Sequence, residues 1–286
     1  MLEIHGLTRW YGRTPGINGI DIAVEPGSVC AVCGAPGSGK STLVRAVMGI
    51  IRRDAGIAAI DGEPFGRSDV YARMKVGCMT DNTLLPPEMS VRDVIDHAGL
   101  FYEEGSSNGT GTLIRRLKID LRRKCRELTP VERKKVWLVM AIMHIPAYLI
   151  LDEPTAGFDA MERELVLDIL RAEKDRGAGI LFTTESISDA RSIGDMGVFL
   201  DEGSVVIADE MQNLMTGEIS LVTLECDDGG IAARLGGKGI RREGDTVRFL
   251  YEGTPDNLVK ELSGISVRRL FIEEAPVAEI IEYYYR

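Results

Sequence analysis

Basic residues are in deficit: 34 lysines and arginines stand against 44 aspartates and glutamates, a net charge of −10. Counterion-driven binding to DNA or RNA needs a basic face, and no long basic stripe supplies one, so the composition argues against a nucleic-acid partner. Long apolar runs are also missing. The longest, Val136 to Leu151, is too short to cross a bilayer comfortably and carries His144 and Pro146 inside it. A buried helix, a break and a strand account for it better. Charged and polar residues appear from Glu3 onward, so no secretory leader is expected and the chain is placed in the cytoplasm. Cysteine is sparse: five residues without regular spacing suit a reducing compartment. Cys30 and Cys33 do form a C-x-x-C, yet three steps along a strand separate their Cα atoms by about 10 Å, beyond disulfide reach. Buried packing is the expectation for both.

What is present begins with size. At 286 residues the chain suits one large domain plus a small one, or two ordinary ones, with enough apolar content for a core that needs no staples. Within it, Gly34-Ala35-Pro36-Gly37-Ser38-Gly39-Lys40-Ser41-Thr42 fits G-x-x-x-x-G-K-[ST]. The run Ser28 to Cys33 before it reads as a buried strand, and Leu43, Val44, Val47 and Met48 after it fall on one helical face ending at Gly49. That context makes it a phosphate-binding loop. Polyphosphate needs backbone N–H groups aimed at it from close range, and glycines at 34, 37 and 39 remove the Cβ atoms that would block the approach. Lys40 adds a point charge between terminal phosphates. Ser41 offers a hydroxyl to Mg²⁺, and the helix N-terminus adds partial positive charge.

Read in order, Leu2 to Leu7 alternates like an edge strand and Ile17 to Val24 alternates again, so an antiparallel β-subdomain precedes the loop. Between these strands Arg9-Trp10-Tyr11-Gly12 exposes an aromatic pair suited to stacking on a purine or to packing under a turn. Ile57 to Gly62 and Lys75 to Thr80 read as strands, and Ser90 to Asp93 has capping-box spacing for a helix. The segment Gly105 to Gly111 has the composition of a flexible loop. Thr129 as N-cap, Pro130 at the first helical position and Glu132 at N3 make a self-contained helix start. Tyr148-Leu149-Ile150-Leu151 then ends in Asp152-Glu153-Pro154. An apolar run tipped with adjacent carboxylates reads as a central parallel strand beside a phosphate loop. There Asp152 can hold Mg²⁺ through water, and Glu153 can orient or deprotonate an attacking water.

Together these stretches resemble the ATP-binding subunit of an ABC transporter, of exporter type, over roughly residues 1 to 215. The resemblance rests on Tyr11-Gly12, Gly34 to Thr42, Leu149 to Thr155 and Gly157-Phe158-Asp159. It implies an α/β P-loop NTPase fold of ABC type, with a mixed sheet core, an antiparallel β-subdomain and a helical subdomain at about 82–145. It also implies ATP and Mg²⁺ as cofactors, Tyr11 stacking on adenine, Lys40 and Ser41 on phosphate and Mg²⁺, and Glu153 as the catalytic carboxylate. Asp159 would belong to a loop crossing a dimer. The implied partners are a membrane-spanning transporter subunit and a second ATP-binding subunit, with the chain peripheral on the inner face of the membrane.

Three positions depart from the family's pattern. Leu128 to Glu132 stands where the family carries Leu-Ser-Gly-Gly-Gln; no Gly-Gly pair occurs before Gly229, and the only glutamine in the chain is Gln212. Asp81 falls at the family's glutamine loop, as a further candidate at the metal. Glu185 falls at the switch histidine, and no histidine follows His144. These departures favour slow hydrolysis, or a regulatory nucleotide-binding role beside a more typical partner. A soluble DNA-repair or translation protein of the class would need a long coiled coil or a second ATPase domain. Neither pattern is present. From about residue 218 to 286 the pattern of strand, turn, strand, helix, strand and final helix reads as a small α+β domain following a 1–217 ATP-binding domain. Tyr283, Tyr284 and Tyr285 in the last helix suit packing or docking.

Overall fold

The computed structural model describes residues 1–66, 70–80, 84–102, 109–214, 219–226 and 230–284. Its elements run β1 (Leu2–Tyr11), β2 (Thr14–Val24), β3 (Val29–Gly34), α1 (Lys40–Val47), β4 (Ala55–Ile60), β5 (Glu63–Pro64), α2 (Val70–Met74), β6 (Val76–Met79), α3 (Val91–Gly99), α4 (Thr110–Arg116), α5 (Pro130–Ile142) and β7 (Tyr148–Leu151). There follow α6 (Ala160–Asp175), β8 (Gly179–Thr184), α7 (Ile187–Ile193), β9 (Met196–Asp201), β10 (Ser204–Glu210), α8 (Met211–Leu214), β11 (Ile219–Cys226), α9 (Ile231–Arg234), β12 (Lys238–Glu243), β13 (Thr246–Glu252), α10 (Pro255–Leu262), β14 (Val267–Glu274) and α11 (Val277–Tyr284).

The central sheet is mixed, in the order β10-β9-β3-β8-β7-β6. β3 pairs in parallel with β8 and β9, and β7 in parallel with β6 and β8; β10 runs antiparallel on the rim. Strands covered on both faces have no solvent side to reserve for polar residues, and every residue of β3, β7 and β8 is buried. Alternate residues divide between two layers. Val29, Ala31 and Cys33 pack with Leu149, Leu151 and Phe182 against helices including α3, α5 and α6, whereas Cys30, Val32, Ile150 and Leu181 pack with Leu43, Val44 and Val47 of α1. The second layer is closed by an antiparallel sheet in the order β2-β1-β4-β5. β1 is therefore interior, not the edge strand its alternation suggests, because β2 pairs on one side and β4 on the other. One face of that sheet is covered and the other is not, so an interior strand alternates as an edge strand does.

The run from Val136 to Leu151 resolves into the buried second half of α5, a break in which Ile145 takes φ 57°, and β7. Both expected capping boxes form, at Ser90–Asp93 and Thr129–Glu132. All five cysteines are free, and burial pushes the Cys30 thiol up to about 12. No helix among the described residues is long and apolar enough to cross a membrane.

The C-terminal strands form a third sheet, β12-β13-β11-β14, antiparallel throughout. Its two faces have different fates. Val222, Leu224, Val247 and Phe249 pack with Leu258 and Leu262 of α10, while Leu221 and Leu250 join Val277, Ile280 and Ile281 of α11 in the same core as Val29 and Leu149. The expected boundary at 217/218 falls at 215–218, outside the described residues, as do the side chains of Tyr283, Tyr284 and Tyr285.

Candidate active site

β3 delivers the chain into the loop at Gly34, and α1 takes it up at Lys40. A Cβ at Gly34 would lie 2.2 Å from Ser38 Oγ and 2.7 Å from the Leu200 carbonyl, so the loop closes only around glycine. At Gly39, the N-cap of α1, φ is 108°, and a Cβ would meet the Gly16 carbonyl at 2.3 Å. The turn is fixed by Ser38 N donating to Ala35 O at 3.1 Å and Leu43 N donating to Gly39 O at 2.9 Å. Pro36 and Gly37 are exposed, while Ala35, Ser41 and Thr42 are half-buried. Ser38 Oγ is buried with no hydrogen-bond partner.

Lys40 is only 5 % exposed. Its Nζ donates to Gly34 O at 2.8 Å and Ala35 O at 3.1 Å, and pairs at 3.3 Å with both Glu153 Oε1 and Glu185 Oε1. Two acids from neighbouring strand ends thus converge on the loop lysine. Asp152, at the tip of β7, is fully buried; its Oδ1 accepts from Thr183 Oγ1 at 2.7 Å and its Oδ2 has no partner. Glu153 follows with φ 48°, a left-handed value uncommon for a residue that carries a side chain. Burial raises its pKa above the ordinary carboxylate range; Glu185 and Asp152 push the same way, and Lys40 opposes them. Although Glu153 Oε1 lies within ion-pair range of Lys40, it takes no well-aligned hydrogen bond.

An orphaned, fully buried carboxylate oxygen is costly unless a cation claims it. Mg²⁺ is commonly held by one or two carboxylates plus substrate phosphates and water, so Asp152 Oδ2 with the Ser41 hydroxyl fits that ion. Asp81 lies outside the described residues. Tyr11 is 48 % exposed, with the Arg9 guanidinium 5.0 Å from its ring centre. A Cβ on Gly16 would meet both that ring and Thr42, which puts the aromatic beside the start of α1. Asp159 caps α6, its Oδ1 accepting from Glu162 N at 2.8 Å.

At the start of α5 the Glu132 carboxylate accepts from Thr129 N at 2.8 Å and is paired with Arg123. These bonds hold its pKa below the usual range, the Thr129 backbone bond foremost. Sequence reasoning missed Arg123, and it missed Lys134, whose Nζ donates at 3.0 Å to the carbonyls of Glu153 and Ala156. Neither carries a signal, because a lysine or arginine near a helix start reads as solvated until its partner's place is known.

A phosphate loop at a parallel strand's end, facing acids on the next strands, defines a P-loop nucleotide-binding protein. A family model described as ABC transporter matches residues 17–156. An ABC transporter ATP-binding protein of Halobacterium salinarum is 31% identical over 216 residues, covering 72% of this chain and 92% of that one. The chain belongs to the ABC transporter ATP-binding proteins, and is an ATPase of that family. A daunorubicin resistance ATP-binding protein of Streptomyces coeruleorubidus is 28% identical over 274 residues, covering 92% of this chain and 86% of the relative. In fold, the chain is similar to the ATP-binding subunit of an ABC transporter, with a TM-score of 0.69 at 23% identity over 75% of this chain and 91% of that one. It is also similar to a dimeric bacterial ABC transporter cassette, with a TM-score of 0.67 at 18% identity, covering 74% and 99%.

Proposed function

We propose that Gly34 to Thr42 wrap the polyphosphate of ATP, with Lys40 on the terminal phosphates and Tyr11 against the adenine. Ser41 and Asp152 hold Mg²⁺, with Asp81 as a further ligand. When bound, the ion neutralises charge on the β- and γ-phosphate oxygens. Glu153 orients the attacking water and accepts its proton, a role that a pKa raised by burial suits. The convergence of Glu153 on Lys40 at 3.3 Å carries this reading, because it sets the base beside the charge that marks the terminal phosphate. ATP binding by the intact loop is tested with Lys40→Ala: calorimetry should show most of the affinity lost, and equal affinity in both proteins would refute the assignment.

Residues 1–217 serve as the ATP-binding domain and 218–286 as an added α+β domain. The chain works on the cytoplasmic face with separate membrane-spanning partners, and relatives named for daunorubicin resistance and Nod factor export favour export. An apolar groove of about 430 Å³, lined by Leu85, Val94, Phe101, Trp137 and His144 and edged by exposed Leu84, offers such a partner a seat. Two ATP-binding subunits pair around the nucleotide; a cassette of similar fold is dimeric.

A second reading has its own observation. The start of α5, where the family's signature would face a partner's nucleotide, is closed by Thr129, Glu132 and Arg123 on one another. A carboxylate there and Glu185 on Lys40 both oppose charge at a γ-phosphate, which suits slow turnover or a regulatory subunit in a heterodimer.

A further inference from the structure

Glu185 has company on its far side. Its neighbour Ser186 is the N-cap of α7: Ser186 Oγ accepts from Asp189 N at 3.1 Å, and Ser186 N donates to Thr184 Oγ1 at 3.0 Å. The same Ser186 hydroxyl donates to Glu274 Oε1 at 3.3 Å. Glu274 also accepts from Ser188 N at 2.6 Å and from Ser188 Oγ at 3.2 Å. Glu274 is the last residue of β14, so a carboxylate from the C-terminal sheet grips the turn that carries Glu185. The grip is shared with Arg163 of α6, which donates to Ser186 and Ser188 and pairs with the buried Asp189.

Among the described residues Glu185 itself is held by Lys40, and its side chain is half exposed. A carboxylate 3.3 Å from that ammonium stands where the lysine's charge would otherwise meet a terminal phosphate. It competes with the γ-phosphate of ATP more than with ADP, which brings one phosphate fewer. We propose that Glu274 is a positioning residue for the nucleotide site: by gripping the turn at Ser186 and Ser188 it holds Glu185 on Lys40, so that the C-terminal sheet sets how strongly ATP is preferred to ADP. The proposal rests on the placing of Lys40 at the terminal phosphates. A role for Glu274 in stability alone would change the melting temperature and leave the nucleotide preference untouched.

A double-mutant cycle separates these roles. ATP and ADP affinities are measured with Mg²⁺ by calorimetry on the full chain, for wild type, Glu185→Gln, Glu274→Ala and the pair. Glu185→Gln should raise the preference for ATP by about fivefold, the scale of a partly exposed ion pair. Glu274→Ala should raise it in the same direction, by about threefold, because the freed carboxylate spends less time on Lys40. The double variant should match Glu185→Gln alone. An unchanged preference in Glu274→Ala, or an effect that adds fully to that of Glu185→Gln, overturns the proposal. Should Glu274→Ala fail to fold, Glu274→Gln, which keeps an acceptor and loses the charge, carries the cycle with the same expected sign and the same overturning results. Loss of ATP binding in Lys40→Ala alongside a null cycle would sink only the role of Glu274, whereas undiminished binding in Lys40→Ala would sink the site itself.

Discussion

A φ of 48° at Glu153 would suit glycine, yet the site needs a carboxylate there, and burial makes that carboxylate reluctant to ionise. The sign follows from linkage. A folded pKa above the unfolded one favours the protonated group in the native state, so its contribution to stability is fully present below the unfolded pKa and is lost as pH rises through the folded one. Glu153→Gln, which cannot ionise, should therefore melt at a higher temperature than wild type at neutral pH. The gap should narrow as pH falls through the raised pKa toward the ordinary carboxylate range, and be closed below it. Thermal melts of both proteins from pH 4 to pH 8 check this, and a variant that melts lower throughout would contradict it. The same reluctance to ionise should lift the acid limb of the hydrolysis profile above that of an exposed glutamate.

At the scale of elements, α5 owes its start to Thr129, Pro130 and Glu132, with Arg123 closing over the carboxylate. Removing the reciprocal bond by Glu132→Ala should cost about 1 kcal/mol in urea denaturation. A self-capped helix also offers its first turn less readily to a ligand, so the purified chain should form ATP-dependent homodimers poorly even with Glu153→Gln to block hydrolysis. A stable ATP-bound homodimer in light scattering would contradict that expectation. Elements of this kind were legible in sequence because their rules are local: the caps at Ser90 and Thr129, the glycines of the loop and the acid-tipped strand each declare themselves within a few residues. Relations between elements were not. β1 reads as an edge because alternation reports one covered face and says nothing of neighbours. β3 is apolar throughout, so the division of Cys30 and Val32 from Val29 and Ala31 between two layers leaves no trace in its pattern. α9 and β12 are short, and β12 is mostly exposed, which leaves little periodicity to read. Glu185 could be placed near the phosphates by resemblance, but its pairing with Lys40 and the grip of Glu274 bring together residues up to 145 positions apart.

For the whole molecule, the sharing of one apolar cluster matters more than the count of sheets. Ile280 and Ile281 of α11 are buried with Leu221 and Leu250 in the core that also holds Val29 and Leu149, so the C-terminal sheet is not a free appendage. Ile280→Ala should destabilise the entire chain by about 3 kcal/mol, with unfolding still a single transition when followed by both far-ultraviolet circular dichroism and tryptophan fluorescence. Two separated transitions, with only the later one unmoved, would show the parts to be independent. The acid pair around Lys40 has one more effect, on the molecule's exchange with its solvent. Burial already raises the Glu153 pKa, and the negative charge of a polyphosphate brought beside it raises it further. Near the pH at which Glu153 titrates, nucleotide binding is then also proton uptake, and phosphate release is proton release. The heat of binding in that range belongs partly to whichever buffer supplies the proton.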